Sequence, residues 1–145
     1  MRIIALNHVG VRVRDMKVAE AFYVGMLGLE PKPNKPNWLQ IGNGQMVHLM
    51  PGSDESDEGR DIGDLARHLS LHVDSLEAVV ALLLRHGFKP FQAELYKPGG
   101  GKPGRRSLTD TSDLTYGIGT VFVEDPDGNI VEFIDPSRGI FAEVG

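Results

Sequence analysis

Cysteine is absent from all 145 residues. That excludes disulfides, thiolate metal sites, redox dithiols and cysteine nucleophiles, and it fits a reducing compartment. Any metal must therefore be held by nitrogen and oxygen. A basic excess is missing too. Lys and Arg total 15 against 20 Asp and Glu, for a formal net charge of -5, and the cations are scattered, so no phosphate-binding face and no nucleic-acid partner are expected. No apolar run reaches membrane-spanning length. The opening Met1-Arg2-Ile3-Ile4-Ala5-Leu6 also lacks the apolar core and cleavage pattern of a secretory signal, so a soluble, cytoplasmic protein without a membrane partner is expected. A phosphate loop is lacking as well: Gly99-Gly100-Gly101-Lys102 is followed by Pro103 where Ser or Thr is needed, and no strand runs into a helix around it.

What the chain does have is a repeat. His8-Val9-Gly10-Val11-Arg12-Val13 aligns with His68-Leu69-Ser70-Leu71-His72-Val73 at an offset of 60, and Gly44-Gln45-Met46-Val47-His48-Leu49-Met50 with Gly128-Asn129-Ile130-Val131-Glu132-Phe133-Ile134 at an offset of 84. His8 thus matches His68, and His48 matches Glu132. Alternation marks each of these stretches as a strand. After the first, Asp15 is placed to cap a helix bearing Met16, Ala19, Phe22, Tyr23 and Met26, with Gly28 as its stop. After the second, Asp74-Ser75-Leu76-Glu77 has a capping-box pattern ahead of Leu76, Val79, Val80 and Leu83, with Gly87 as the stop. Further strands are predicted over 38–41, 46–50, 89–95, 120–124 and 130–134. Gly42-Asn43-Gly44 and Asp125-Pro126-Asp127-Gly128 supply hairpin turns. The whole is expected to be one α+β domain over 1–145: a first module over 4–51, an acidic Gly- and Ser-containing linker over 52–66, and a second module over 67–136. Residues 96–116 form an unusually long irregular stretch, a candidate lid. Its basic run from Lys97 to Arg106 suits a substrate carboxylate or phosphate.

Because strand side chains alternate, Met46, His48 and Met50 share one face, as do Ile130, Glu132 and Ile134, and His68, Ser70 and His72. If the helices cover the opposite faces, the histidines and the glutamate lie on the concave side. A single strand histidine is ordinarily a hydrogen-bonded structural residue. Repetition of the placement opposite a carboxylate favours a metal site built from His8, His48, His68 and Glu132, because a buried imidazole or carboxylate without a partner is costly. Such ligands suit one divalent ion, Zn, Ni, Fe, Mn or Co, without choosing among them. Arg12 and His72, equivalent in the repeat, are candidate contacts to a substrate anion. His86 at a helix end is satisfied by the helix dipole, and the methionines and Phe22 read as core.

At these residues the chain resembles the vicinal oxygen chelate superfamily, which includes glyoxalase I, methylmalonyl-CoA epimerase, extradiol dioxygenases, and fosfomycin and bleomycin resistance proteins. The likeness is carried by Leu6-Asn7-His8-Val9-Gly10-Val11 with Phe22-Tyr23 and Leu27-Gly28-Leu29, by His68 with Val73-Asp74-Ser75-Leu76, and by Asp125-Pro126-Asp127-Gly128-Asn129 followed by Glu132. The resemblance implies paired βαβββ modules forming an open curved sheet, a divalent metal on its inner face, and often a homodimer whose sites draw strands from both chains. His8, His68 and Glu132 fall on the family's usual three ligand positions, and His48 on the variable fourth, where glyoxalase I has Glu and the epimerase Gln. Phe122 stands where the extradiol signature has Tyr, and no histidine follows His86, against ring cleavage. The expected function is therefore isomerase or lyase chemistry of the glyoxalase or epimerase kind on a small oxygen-bearing substrate. In that reading the metal acts as Lewis acid, Glu132 exchanges between ligation and proton transfer, and His48 is fourth ligand or base. Two alternatives are a non-catalytic protein sequestering an antibiotic or metabolite in a groove lined by Trp38, Tyr96 and Tyr116, and an extradiol-type dioxygenase.

Overall fold

The computed structural model describes residues 1–52, 65, 67–93 and 104–142, with the side chain of Ile140 excepted. Most of the expected linker over 52–66, Tyr96, and the Lys97–Lys102 part of the basic run lie outside the described residues. The chain is α+β and divides into two compact units, Met1–Ile62 with Asp125–Asn129, and Gly63–Glu124 with Ile130–Gly145.

In the first unit, β1 (His8–Val13) leads to α1 (Met16–Glu20), which continues as a π-helical segment, Ala21–Met26. Then come β2 (Glu30–Lys32), β3 (Lys35–Gly42) and β4 (Gln45–Pro51), in the spatial order β1-β4-β3-β2. Asp15 caps α1 by accepting from the Lys17 and Val18 amides, at 2.9 and 3.3 Å. Val11, Val13, Leu39, Val47 and Leu49 are buried on one sheet face, and so are Ala19, Phe22, Tyr23 and Met26 of the helical segment, the amphipathic pattern expected of helix on sheet. The turn Asp125–Asn129 belongs to this unit. Asp125 is 4% exposed and accepts from the Tyr23 hydroxyl at 2.7 Å, from the Asp127 and Asn129 amides at 2.8 Å, and from Asn129 Nδ2 at 2.9 Å.

In the second unit, β5 (His68–His72), α2 (Leu76–Arg85), β6 (Phe91–Ala93), β7 (Arg105–Ser107), β8 (Thr120–Glu124) and β9 (Ile130–Ile134) build a sheet ordered β5-β9-β8-β6-β7. The cap of α2 is Ser75, whose hydroxyl accepts from the Ala78 amide at 3.1 Å. The expected Asp74–Glu77 box is therefore off by one residue, and Glu77 instead accepts from the Tyr116 hydroxyl. The stretch 96–116 is less irregular than expected, since β7 and a 3-10 turn, Thr111–Asp113, lie within it. Gln92 is buried among backbone partners, its Nε2 donating to the Thr115 and Thr120 carbonyls, and Arg106 donates to its Oε1.

Repeat and register agree. Strand β1 runs parallel to β4 with His8 opposite Met46 and Gly10 opposite His48, and β5 runs parallel to β9 with His68 opposite Ile130 and Ser70 opposite Glu132. The two halves thus pair equivalent residues in the same register.

Candidate functional site

Opposed residues in a sheet point to the same face. In the first unit, one face therefore carries His8, Gly10 and Arg12 of β1, Met46, His48 and Met50 of β4, and Trp38 and Gln40 of β3. Gly10 lets this face close up, because a Cβ there would sit 2.9 Å from the Met50 sulfur. The indole of Trp38 stacks on the His48 ring at 3.8 Å between centroids and 11° between planes. His8 meets Trp38 edge-on at 4.6 Å and lies 6.0 Å from His48. The two imidazoles are held differently. His8 Nδ1 lies 2.7 Å from Asn7 Oδ1; an amide oxygen only accepts, so Nδ1 carries the hydrogen and the Nε2 lone pair stays available. His48 Nε2 instead faces Asn37 Nδ2 at 3.1 Å, and that nitrogen also donates to the Leu49 carbonyl, so the His48 lone pair is already engaged. Arg12 lies along the backbone of Gly52, where a Cβ would come 2.5 Å from its guanidinium.

In the second unit, the equivalent face carries His68, Ser70 and His72 of β5, Glu132 of β9, and Thr120, Phe122 and Glu124 of β8. Glu132 is 3% exposed, and its carboxylate is surrounded by donors. Ser70 Oγ donates to Oε1 at 2.5 Å, Thr120 Oγ1 donates to Oε2 at 2.8 Å, and His68 Nε2 lies 3.2 Å from Oε1. His68 Nδ1 is 2.6 Å from the Leu65 carbonyl, an acceptor only, so Nδ1 holds the hydrogen and Nε2 is turned onto the glutamate. Two lone pairs at 3.2 Å repel unless a proton or a cation lies between them. An imidazole oriented by a carbonyl, next to a carboxylate oriented by hydroxyls, is the donor chemistry of a divalent-metal ligand pair, and these residues fit such an ion.

The remainder of this face is more apolar than strand alternation implies. Phe91 and Phe122 stack at 5.5 Å and, with Ala93 and Ile130, form a buried cluster against which the partly buried Leu65 packs. The Arg105 guanidinium lies 4.5 Å over the Phe91 ring and binds Glu124 at 3.1 Å.

Four sequence-nominated ligands thus fall into two pairs, His8 with His48 and His68 with Glu132. Among the described residues, no three His, Asp or Glu side chains are gathered in a metal-binding group. Trp38 joins the first pair. His72 shares the face of His68, exposed and opposite Ile134. Tyr116 is committed elsewhere, its hydroxyl on Glu77 and its ring under the Arg138 guanidinium at 4.7 Å. Ser70, Thr120, Asn7 and Asn37 received no role from sequence. The available signal was parity, since Thr120 and Phe122 alternate onto the strand face that meets Glu132.

A family model described as the glyoxalase/bleomycin resistance protein/dioxygenase superfamily matches residues 7–107. No curated protein matches the chain. Among solved structures, a glyoxalase family protein from Bacillus anthracis is similar with a TM-score of 0.60 at 19% identity, covering 93% of this chain and 97% of that one. A glyoxalase family protein from Enterococcus faecalis gives 0.58 at 22% identity, over 90% and 97%. TnmS3, an antibiotic binding protein from Streptomyces sp. CB03234, gives 0.56 at 25% identity, over 94% and 99%. With the family model spanning β1 to β7 and equivalent strands paired in equivalent register, this chain belongs to the glyoxalase/bleomycin resistance protein/dioxygenase superfamily.

Proposed function

We propose that the chain is a divalent-metal-dependent enzyme acting on a small oxygen-bearing substrate, an isomerase or lyase of the glyoxalase or epimerase type, with His8, His68 and Glu132 as metal ligands. The observation that carries this reading is the orientation of His68. Its Nδ1–H is pinned on the Leu65 carbonyl at 2.6 Å, and its Nε2 faces the Glu132 carboxylate at 3.2 Å, where a cation or a proton is called for. His8, pinned by Asn7 in the same sense, supports the third position. A bound divalent cation supplies Lewis-acid polarisation of the substrate oxygens. Glu132, buried and held by two hydroxyls, would exchange between ligation and proton transfer. His48 would act as a base, its ring fixed by stacking on Trp38 and its Nε2 held by Asn37 until substrate enters. Arg12 and His72 are proposed to meet the anionic part of the substrate, and a homodimer is the proposed assembly.

A second reading, small-molecule capture without chemistry, is favoured by the half-exposed Trp38–His48 stack, a flat surface for a planar ligand, and by the likeness to an antibiotic binding protein.

Elemental analysis of untagged protein is expected to find one equivalent of divalent metal per chain. His68→Ala and His8→Ala should each reduce it to a small fraction while the circular dichroism spectrum stays unchanged. Metal-free wild type that still binds aromatic ligands would decide for capture, and full metal content in His68→Ala would remove that residue from the site.

A further inference from the structure

We infer that Thr120 and Ser70 are positioning residues that fix how Glu132 presents its carboxylate, Thr120 holding Oε2 away so that only Oε1 reaches a cation. The inference rests on the metal reading proposed above. The geometry that carries it lies within the second unit. Ser70 is directly opposite Glu132 across the β5–β9 pair, and Thr120 lies two residues from Phe122, which is opposite Glu132 across the β8–β9 pair. Each carboxylate oxygen therefore receives one hydroxyl from a different neighbouring strand, Oε1 from Ser70 at 2.5 Å and Oε2 from Thr120 at 2.8 Å. Thr120 is fully buried and Glu132 nearly so, so water does not compete for the Thr120 bond. The remaining lone pair of Oε1 points towards His68 Nε2 at 3.2 Å, whereas Oε2 is directed to Thr120.

Two consequences follow for the chemistry. Monodentate ligation leaves a coordination position free, and an open position is what separates a catalytic from a closed structural site. A carboxylate accepting a hydroxyl on each oxygen is also fixed in orientation, so Glu132 would present the same oxygen to a bound cation each time. β-branched Thr120 suits this task because its χ1 is restricted by the strand and its hydroxyl does not rotate freely away.

The test uses the full chain loaded with Co²⁺. In Thr120→Val, Oε2 is released and the carboxylate becomes bidentate. X-ray absorption should report one more oxygen neighbour than in wild type, with weaker visible absorption as coordination number rises, and Thr120→Ser should restore the wild-type spectrum. In Ser70→Ala, which alters an exposed strand position and keeps the fold, Co²⁺ affinity should fall about tenfold, as loss of a residue orienting a ligand does. A wild-type Co²⁺ spectrum in Thr120→Val, or unchanged affinity in Ser70→Ala should Thr120→Val fail to fold, overturns the inference while leaving the metal reading intact. Wild type that takes up no Co²⁺ overturns the metal reading itself, and this inference with it.

Discussion

Asp125 concentrates the physics of its turn in one carboxyl. Burial raises its pKa above the ordinary carboxylate range, and the hydrogen bonds from Tyr23 and Asn129 pull the other way. Burial likewise pushes the Tyr23 hydroxyl well up, aided by the Asp125 charge beside it, so Tyr23 remains a donor. Tyr23→Phe removes that donor from a buried acceptor and is expected to cost about 2 kcal/mol, measurable by urea unfolding. The pH dependence has a definite sign. A carboxyl whose folded value exceeds its unfolded one is protonated more readily when folded, so its contribution is full below the ordinary carboxylate pKa and is lost as pH rises through the raised value. Wild type should therefore lose stability relative to Asp125→Asn as pH climbs out of that range, and parallel curves for the two proteins would contradict it. The role of Asp125 was only half legible in the sequence. Asp-Pro-Asp-Gly announces a turn, but nothing local discloses that its first carboxylate is to be buried against a tyrosine 102 positions away.

At the scale of elements, legibility followed the hydrophobic pattern. Strands β1, β4, β5, β8 and β9 alternate or run apolar and were readable to within a residue or two. Strands β2 and β7, Glu-Pro-Lys and Arg-Arg-Ser, are exposed at every position. They are edge strands, where charge and proline are tolerated because one side makes no ladder and association is discouraged. No apolar signal survives to reveal them. The π-helical segment after α1 was equally hidden, since it shifts the backbone ladder without changing residue types. Helix ends were clearer. Gly28 and Gly87 take φ of +78° and +81°, and beyond each the chain bonds back into the helix, Leu29 to the Tyr23 carbonyl and Phe88 to that of Leu83. Asp15→Ala and Ser75→Ala should each destabilise by about 1 kcal/mol, and Gly87→Ala by a similar ~1 kcal/mol from the left-handed strain. Thermal or chemical unfolding of the three variants, with native dichroism retained, checks this. A fall below a few tenths in Ser75→Ala would restore Asp74 as the effective cap.

For the whole molecule, the repeat is what nominated the candidate ligands, because it sets His8 against His68 and His48 against Glu132 at equivalent points of equivalent strands. Repeat and parity together led to His8, His48, His68 and Glu132 being expected at one point, whereas the structure shows them as two pairs, His8 near His48 and His68 near Glu132. They were silent on pairing itself, since the parallel contacts of β1 with β4 and β5 with β9 each join the two ends of one module across the elements between them. They were silent too on the hydroxyl and amide groups that orient the ligands, because Ser, Thr and Asn are common on any strand. Under the proposed function, metal binding is linked to folding. Divalent ion at a hundredfold excess over its dissociation constant adds about 2.7 kcal/mol, so a chelator should lower Tm by several degrees, and His68→Ala should abolish that difference. An unchanged melting curve on chelation speaks for the capture reading.

The sequence contains one tryptophan, and it is the residue stacked on His48 and touched edge-on by His8. Indole emission therefore has a single source, lodged among the groups proposed to meet metal and substrate. Any event there, whether ion uptake, ligand entry or rotation of an imidazole, is recorded in fluorescence without a label, so the chain carries its own optical gauge for rapid-mixing kinetics and ligand screening.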